Sequence, residues 1–141
     1  MIMKVSQLMS KECDFVYSQD SCQEVAKIMA THNRGLLAIL KNEDQPEVIG
    51  VVSNKDIIDK VVAKKKVPEK VPVSQIMTKK YIYVDPNEIT SKVMFLMINN
   101  GIKRVLVIDK QGNLVGIIAS TDIIRGMLRY KKQLLDLALD F

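Results

Sequence analysis

The sequence predicts an α/β fold made of two tandem repeats, each ordered strand, helix, strand, strand, helix. The phrase "VIGVVSNKDII" at residues 48–58 returns as "LVGIIASTDII" at residues 114–124. An earlier phrase, "VSQLMS" at residues 5–10, returns as "VSQIMT" at residues 73–78. Self-similarity of this kind indicates two copies of one supersecondary unit. We expect the copies to bury their apolar faces against each other about a pseudo-twofold axis.

The spacing between the copies supports this alignment. The opening phrases lie 68 residues apart and the closing phrases 66, so the first copy is two residues longer in the turn "KNEDQPE" than in "DKQGN". Insertions fall in surface turns because no core packing is disturbed there. The predicted organisation is a first repeat at residues 1–62, a linker at 63–72, a second repeat at 73–130 and a C-terminal helical tail at 131–141.

The first half of each copy reads as a short strand followed by a helix. Extended segments are predicted at residues 15–17 and 81–84, "FVY" and "YIYV". The first helix covers about residues 21–31, where Ser21 with Glu24 three residues later indicates a capping box. The second copy's helix ends before Gly101, which can take the left-handed conformation found after helices. The apolar faces consist of Cys22, Val25, Ala26, Ile28 and Met29, and of Val93, Met94, Leu96 and Met97.

The second half of each copy reads as a β-hairpin followed by another helix. Polar turns join the strand pairs, which indicates hairpins; the strands are predicted at 36–40 with 48–52 and at 104–108 with 114–118. The closing helices begin near Ser53 and Ser120. The tail extends the last helix with an apolar stripe that is interrupted at Lys131, and either packing on its own domain or a dimer contact explains that stripe. Its members are Ile124, Met127, Leu128, Leu134, Leu135 and Ala138.

Composition restricts the class of protein. The chain has 141 residues, 48% of them hydrophobic and 26% charged, and a net charge of +5. No apolar run approaches the roughly 20 residues that span a bilayer, and the start lacks the features of a secretory signal. We therefore expect a cytoplasmic protein in which Cys13 and Cys22 are free thiols. The run Lys64-Lys65-Lys66 between two prolines reads as a solvated linker.

The repeated closing phrase carries the chemistry. Gly50 lets a backbone or a ligand approach closely, and Ser53 precedes a helix that Asp56 enters one turn later. A hydroxyl beside a carboxylate suits the two vicinal hydroxyls of a ribose. The same Ser-x-x-Asp pattern is also a capping box, which needs no ligand, so both interpretations stay open. In the second phrase Ala119 replaces the hydroxyl residue, and Ser120 is an alternative N-cap.

The chain resembles a tandem pair of cystathionine-β-synthase (CBS) domains, a Bateman module, over about residues 4–128. The resemblance rests on the "VSQ" openings, the element order and the duplicated Gly-x-x-(Ser/Thr)-x-x-Asp phrase. It implies a stand-alone CBS pair whose Ser/Thr and Asp residues hold the ribose of an adenosyl ligand in the cleft between the repeats. Ser53 and Asp56 are the better site on this basis. Asp122 with Thr121 is the altered one.

The resemblance also implies the remainder of each site. In such pairs the base lies among side chains from the first strand segment and the start of the hairpin. Basic residues at the hairpin starts contact phosphates. The basic residues of this chain are equally explained as solvated charges. For the Ser53 site these positions are Thr78, Lys80, Ile82, Ile102 and Lys103. For the other they are Ser10, Asp14, Val16, Arg34 and Gly35. The proposed phosphate contacts are Arg34, Lys103 and Arg104.

The functional expectation is a regulatory sensor of an adenine nucleotide, with AMP, ADP or ATP as the first candidates. Catalysis lacks support because the chain has one histidine, His32, and no nucleophile motif. We expect no resident cofactor, no metal and no membrane partner, a homodimer formed through the repeat helices, and an unidentified effector protein. The alternatives are a dimeric interaction module without nucleotide, or weak nucleic-acid binding near Tyr81 and Tyr83.

Overall fold

The computed structural model describes residues 2–140. Met1 and Phe141, the outermost residues of the predicted first repeat and tail, lie outside this part of the chain. The described chain confirms the α/β class and the predicted element order. The elements are α1 (Val5–Leu8), β1 (Phe15–Tyr17), α2 (Cys22–His32), β2 (Leu36–Leu40), β3 (Val48–Ser53), α3 (Asn54–Ile57), a π-helical turn (Ile58–Val62), two 3₁₀ turns (Pro68–Lys70 and Val73–Gln75), β4 (Tyr83–Val84), α4 (Thr90–Asn100), β5 (Arg104–Ile108), β6 (Leu114–Ala119) and α5 (Ser120–Leu139).

The chain forms two compact units whose boundaries differ from those of the sequence repeats. The first unit is residues 13–82, and the second combines residues 1–12 with residues 83–141. This difference arises because each opening phrase pairs with the closing strand of the other copy. Thr78 pairs with Val51 of β3, and Ser10 pairs with Ile117 of β6, both antiparallel.

The first unit is built on a three-stranded sheet in the order β1-β2-β3. β1 lies parallel to β2, which requires a crossover connection, and α2 supplies it. β2 and β3 form the predicted antiparallel hairpin. The core of the first unit is an apolar cluster made of Val16, Cys22, Val25, Met29, Leu37, Ile39, Val52, Val61, Val71, Val73 and Ile76.

The second unit repeats this topology with the sheet order β4-β5-β6. The prediction of a strand over residues 81–84 was too long, because β4 contains only Tyr83 and Val84. Tyr81 instead donates its phenolic hydroxyl to the carbonyl oxygen of Val48 at 3.1 Å, within the first unit. In the hairpin of each unit, the register of the two strands shifts near the end of the middle strand, which is β2 in the first unit and β5 in the second.

Helix ends follow the predicted local signals. The Ser21 side chain accepts a hydrogen bond from the backbone N–H of Glu24 at 3.1 Å and so caps α2, but the described residues show no return bond to the Glu24 side chain, so the predicted capping box is only half formed. Gly101 ends α4 with φ of 63°, a left-handed conformation that glycine adopts without steric cost. The last helix continues to Leu139, which confirms that the tail extends it. Among residues 2–140, no helix is both long enough and apolar enough to cross a bilayer.

The glycine of each closing phrase marks a close approach between backbones. A Cβ added to Gly50 would lie 2.8 Å from the sulfur of Met77 and 3.0 Å from the carbonyl oxygen of Thr78. A Cβ on Gly116 would lie 2.7 Å from the sulfur of Met9 and 2.8 Å from the carbonyl oxygen of Ser10. The opening phrases therefore occupy the space that a side chain would need.

We predict that Gly50→Ala and Gly116→Ala each lower the free energy of unfolding by about 1–3 kcal/mol, the usual effect of overpacking. Gly116→Ala should be the more damaging, because its Cβ would lie 2.8 Å from a backbone oxygen, whereas the Cβ at Gly50 would lie 3.0 Å from one. Urea unfolding midpoints of the two variants and the wild type measure both effects. Unchanged midpoints would show that the opening phrases do not exclude a side chain at these two glycine positions.

Candidate functional site

The start of α3 in the first unit is a complete capping box. Ser53 has extended backbone angles, φ −106° and ψ 163°, and its hydroxyl oxygen accepts from the backbone N–H of Asp56 at 3.1 Å. Asp56 Oδ2 accepts from the backbone N–H of Ser53 at 2.9 Å and from the Ser53 hydroxyl at 3.1 Å. These bonds fix the carboxylate beside the hydroxyl, as the closing phrase predicts.

The other carboxylate oxygen of Asp56 is also engaged. The Lys60 ammonium lies 2.9 Å from Asp56 Oδ1 and donates to the carbonyl oxygen of Ile76, also at 2.9 Å. The Asp56 side chain is 14% exposed and that of Lys60 44%. The carboxylate is therefore largely enclosed and paired, with a small part of its surface exposed to solvent.

Two further predicted positions lie at this helix start. The carbonyl oxygen of Gly35, just before β2, accepts from the backbone N–H of Asn54 at 3.1 Å. Thr78 exchanges two backbone hydrogen bonds with Val51, of 2.9 and 3.0 Å. The first unit thus brings Ser53 and Thr78, which were predicted for one site, to the same strand-to-helix junction as Gly35, which was predicted for the other site.

A second group of predicted residues in this unit is an ion-pair cluster. Arg34 Nε donates to Asp14 Oδ2 at 2.7 Å, and His32 Nδ1 lies 3.1 Å from Asp14 Oδ1. The hydrogen bond from Arg34 lowers the pKa of the Asp14 carboxyl, and the contact with His32 acts in the same direction. Arg34 is therefore partly neutralised by Asp14. Burial raises the pKa of the neighbouring Cys13 thiol, which favours its unreactive protonated form.

The second unit builds the corresponding junction with fewer side-chain bonds. Asp122 Oδ2 accepts from the backbone N–H of Ala119 at 2.8 Å, and Asp122 Oδ1 lies 3.4 Å from an Arg125 nitrogen. The helix begins at Ser120, as predicted, but the alternative of Ser120 as the N-cap does not hold, since Ala119 takes that position. The cap stays at residue 119 because β6 runs through it, as β3 runs through Ser53.

The remaining predicted residues differ in their contacts and in their exposure to solvent. Lys103 gives its carbonyl oxygen to the backbone N–H of Ser120 at 2.9 Å, as Gly35 does for Asn54. In the second unit Arg104 and Thr121 are exposed, while Ile102 and Ser10 are half-buried; in the first unit Lys80 is exposed, Ile82 is half-buried and Val16 belongs to the core.

Lys60 was missed by sequence reasoning, although the spacing contained a signal for it. Asp56 and Lys60 are four residues apart, and side chains at that spacing are neighbours on a helix. The contact with Ile76 carried no such signal, because it joins residues 16 positions apart. Among residues 2–140, no three His, Cys, Asp or Glu side chains are grouped so as to hold a metal ion.

We predict that removing the capping hydroxyl from the first junction and adding one to the second change the free energy of unfolding in opposite directions. Ser53→Ala should lower the free energy of unfolding by about 1 kcal/mol, the usual contribution of an N-cap. Ala119→Ser should raise it by a smaller amount, because Ala119 has nearly the same backbone angles as Ser53, φ −108° and ψ 157°. Chemical unfolding of both variants against the wild type is the measurement. A destabilised Ala119→Ser variant would contradict the equivalence of the two junctions.

Comparison with known proteins identifies the family. A family model described as CBS domain matches the chain twice, at residues 5–63 and 73–129. An uncharacterised protein of Methanopyrus kandleri is 31% identical over 106 residues, which cover 75% of this chain and 53% of that protein. The chain therefore spans about half the length of that relative.

Solved structures show the same fold. The CBS domain pair of protein MJ0100, solved with 5′-methylthioadenosine and S-adenosyl-L-methionine, is similar with a TM-score of 0.79 and 31% identity; the match covers 90% of this chain and 97% of that chain. A hexameric CBS-CP12 protein from bloom-forming cyanobacteria is similar with a TM-score of 0.76 and 26% identity, over 88% of this chain and 69% of that chain. Since the family model matches both repeats, the chain belongs to the CBS domain family and contains a tandem CBS pair.

Proposed function

We propose that this CBS pair is a regulatory module that binds an adenosyl ligand, with AMP, ADP or ATP as the first candidates. The observation that carries the proposal is the Ser53–Asp56 junction, where a hydroxyl and a carboxylate lie 3.1 Å apart at the end of β3. Both groups can exchange hydrogen bonds with the vicinal hydroxyls of a ribose. The similar CBS pair of protein MJ0100 was solved with two ligands that share the adenosine moiety.

The same proposal assigns roles to the other residues. Thr78 pairs with β3, Lys80 and Ile82 follow it along the chain, and we propose that all three contact the base. Arg34, Lys103 and Arg104 are the proposed phosphate contacts, although the Asp14 carboxylate already binds Arg34. We propose the Asp122 junction as a weaker ribose site, because alanine stands where the first unit has its hydroxyl. The ligand acts as a regulatory signal rather than as a resident cofactor.

We predict that the wild type gives saturable binding to one member of a panel of AMP, ADP, ATP, NAD, S-adenosylmethionine and 5′-methylthioadenosine in isothermal titration calorimetry. Asp56→Ala should weaken that binding by about tenfold or more, because hydrogen bonds to a charged group are lost. Asp122→Ala should have a smaller effect.

Asp59→Ala is the matched control, since Asp59 lies on the same helical segment and pairs with Lys55 instead. It should keep the wild-type affinity. Asp56→Asn, which retains an acceptor for the cap, separates ligand recognition from folding if the alanine variant is unstable. Wild-type affinity in both Asp56 variants would rule out the ribose assignment, and a wild type that binds no compound would rule out the sensor.

A second role, self-association, is favoured by the apolar surface of α4 and α5. Phe95, Ile98 and Met127 are 67%, 66% and 58% exposed. A pocket of about 240 Å³ lies beside them, lined by Met3, Thr90, Ser91, Met94, Phe95, Ile123 and Met127. An isologous contact needs a self-complementary patch, and a protruding phenyl ring next to an apolar pocket provides one. We propose that a second copy of this chain covers this surface.

We predict that Phe95→Asp shifts the protein from dimer to monomer in light scattering coupled to size exclusion, because the charge would be buried without a partner in the interface. Gln111→Asp, in the exposed turn between β5 and β6, is the control and should remain dimeric. A monomeric wild type, or a dimeric Phe95→Asp variant, would contradict this interface.

A further inference from the structure

Lys60 occupies an unusual position directly after the Ser53–Asp56 junction. It lies in the π-helical turn Ile58–Val62, and π-helical turns are rare and frequently found at functional sites. Its ammonium bridges two parts of the first unit that are distant in sequence. One contact is with the carboxylate of Asp56 and the other with the carbonyl oxygen of Ile76, two residues before Thr78.

The contacts that Asp56 already makes leave few acceptor positions on its carboxylate for a ligand. An ionised carboxylate offers roughly four lone-pair sites. Ser53 uses two of them on Oδ2 through its N–H and its hydroxyl, and the Lys60 ammonium is ion-paired with Oδ1 at 2.9 Å. The site that remains lies on Oδ1, the oxygen that Lys60 holds in place. A ligand hydroxyl can therefore bind Asp56 while Lys60 stays bound.

The described residues of the second unit contain no counterpart of this bridge. Lys60 aligns with Gly126, and a Cβ added there would lie 2.5 Å from a methyl group of Leu8, the residue that aligns with Ile76. The ion-pair partner of Asp122 is Arg125, whose side chain is 65% exposed and lies 3.4 Å away. The repeated closing phrase is therefore not sufficient for this bridge. The bridge depends on a lysine at position 60 and on a helix surface that leaves space for the lysine side chain.

We propose that Lys60 is a positioning residue that orients Asp56 toward a ligand hydroxyl and couples that carboxylate to the segment from Ile76 to Thr78. This inference rests on the proposed function for its ligand-binding part. Because the ammonium holds both partners at once, a ligand that orders Asp56 also favours the anchored form of the segment. By thermodynamic linkage, anchoring of the segment then strengthens ligand binding by the same factor.

The first test needs no ligand. Hydrogen exchange of the Thr78 amide, followed by NMR, reports the anchoring of the segment through its bond to Val51. Lys60→Met keeps the aliphatic stem and removes the charge, and exchange should become about tenfold faster, as expected for the loss of a charged hydrogen bond. Lys55→Met, which removes the exposed partner of Asp59, should leave exchange unchanged. Equal Thr78 exchange in wild type and Lys60→Met would overturn the proposal.

The second test uses calorimetry with AMP and with 5′-methylthioadenosine. Lys60→Met should bind about tenfold more weakly than the wild type, Lys60→Arg should recover most of the affinity, and Lys55→Met should match the wild type. Ligand should slow Thr78 exchange in the wild type and not in Lys60→Met. Faster exchange with unchanged affinity would overturn the positioning role and leave a structural contact only. A wild type that binds neither these two compounds nor any other member of the panel would refute the proposed function, while the exchange experiment still decides whether the bridge exists.

Discussion

The structure depends on backbone pairing between each opening phrase and the closing strand of the other sequence copy. Thr78 pairs with Val51, and Ser10 pairs with Ile117, so each segment adds an antiparallel bridge at the edge of a hairpin. Glycine in the closing phrase permits this approach, because any side chain at Gly50 or Gly116 would meet a carbonyl oxygen. This pairing explains why the compact units and the sequence repeats have different boundaries.

The same pairing locates the candidate site. It brings the Thr78 segment to the point where β3 ends and α3 begins, which is where Ser53 and Asp56 lie. Capping and ligand binding are therefore compatible uses of the same side chains. Capping fixes the carboxylate in one orientation, and an oriented acceptor loses less conformational entropy when a ligand arrives. A site of this kind is prepared by the interactions that stabilise the fold.

The two junctions show how copies of one phrase acquire different chemistry. The first has a serine cap and a carboxylate paired with Lys60 at 2.9 Å. The second has an alanine cap and a carboxylate whose arginine partner is largely exposed at 3.4 Å. Exposed ion pairs contribute little because water screens them. The first junction is consequently the better organised of the two.

The sequence by itself determined the element order, the hairpins, the cap at Ser21 and the left-handed end at Gly101, because period, turn composition and capping are local properties. It also placed the carboxylates of Asp56 and Asp122 at helix starts. Only the tertiary structure decided that Ala119 rather than Ser120 takes the cap position, that β4 begins at Tyr83, and that Lys60 reaches the carbonyl oxygen of Ile76. These features depend on where a strand stops and on which distant backbone lies beside a side chain, and a local sequence pattern contains neither.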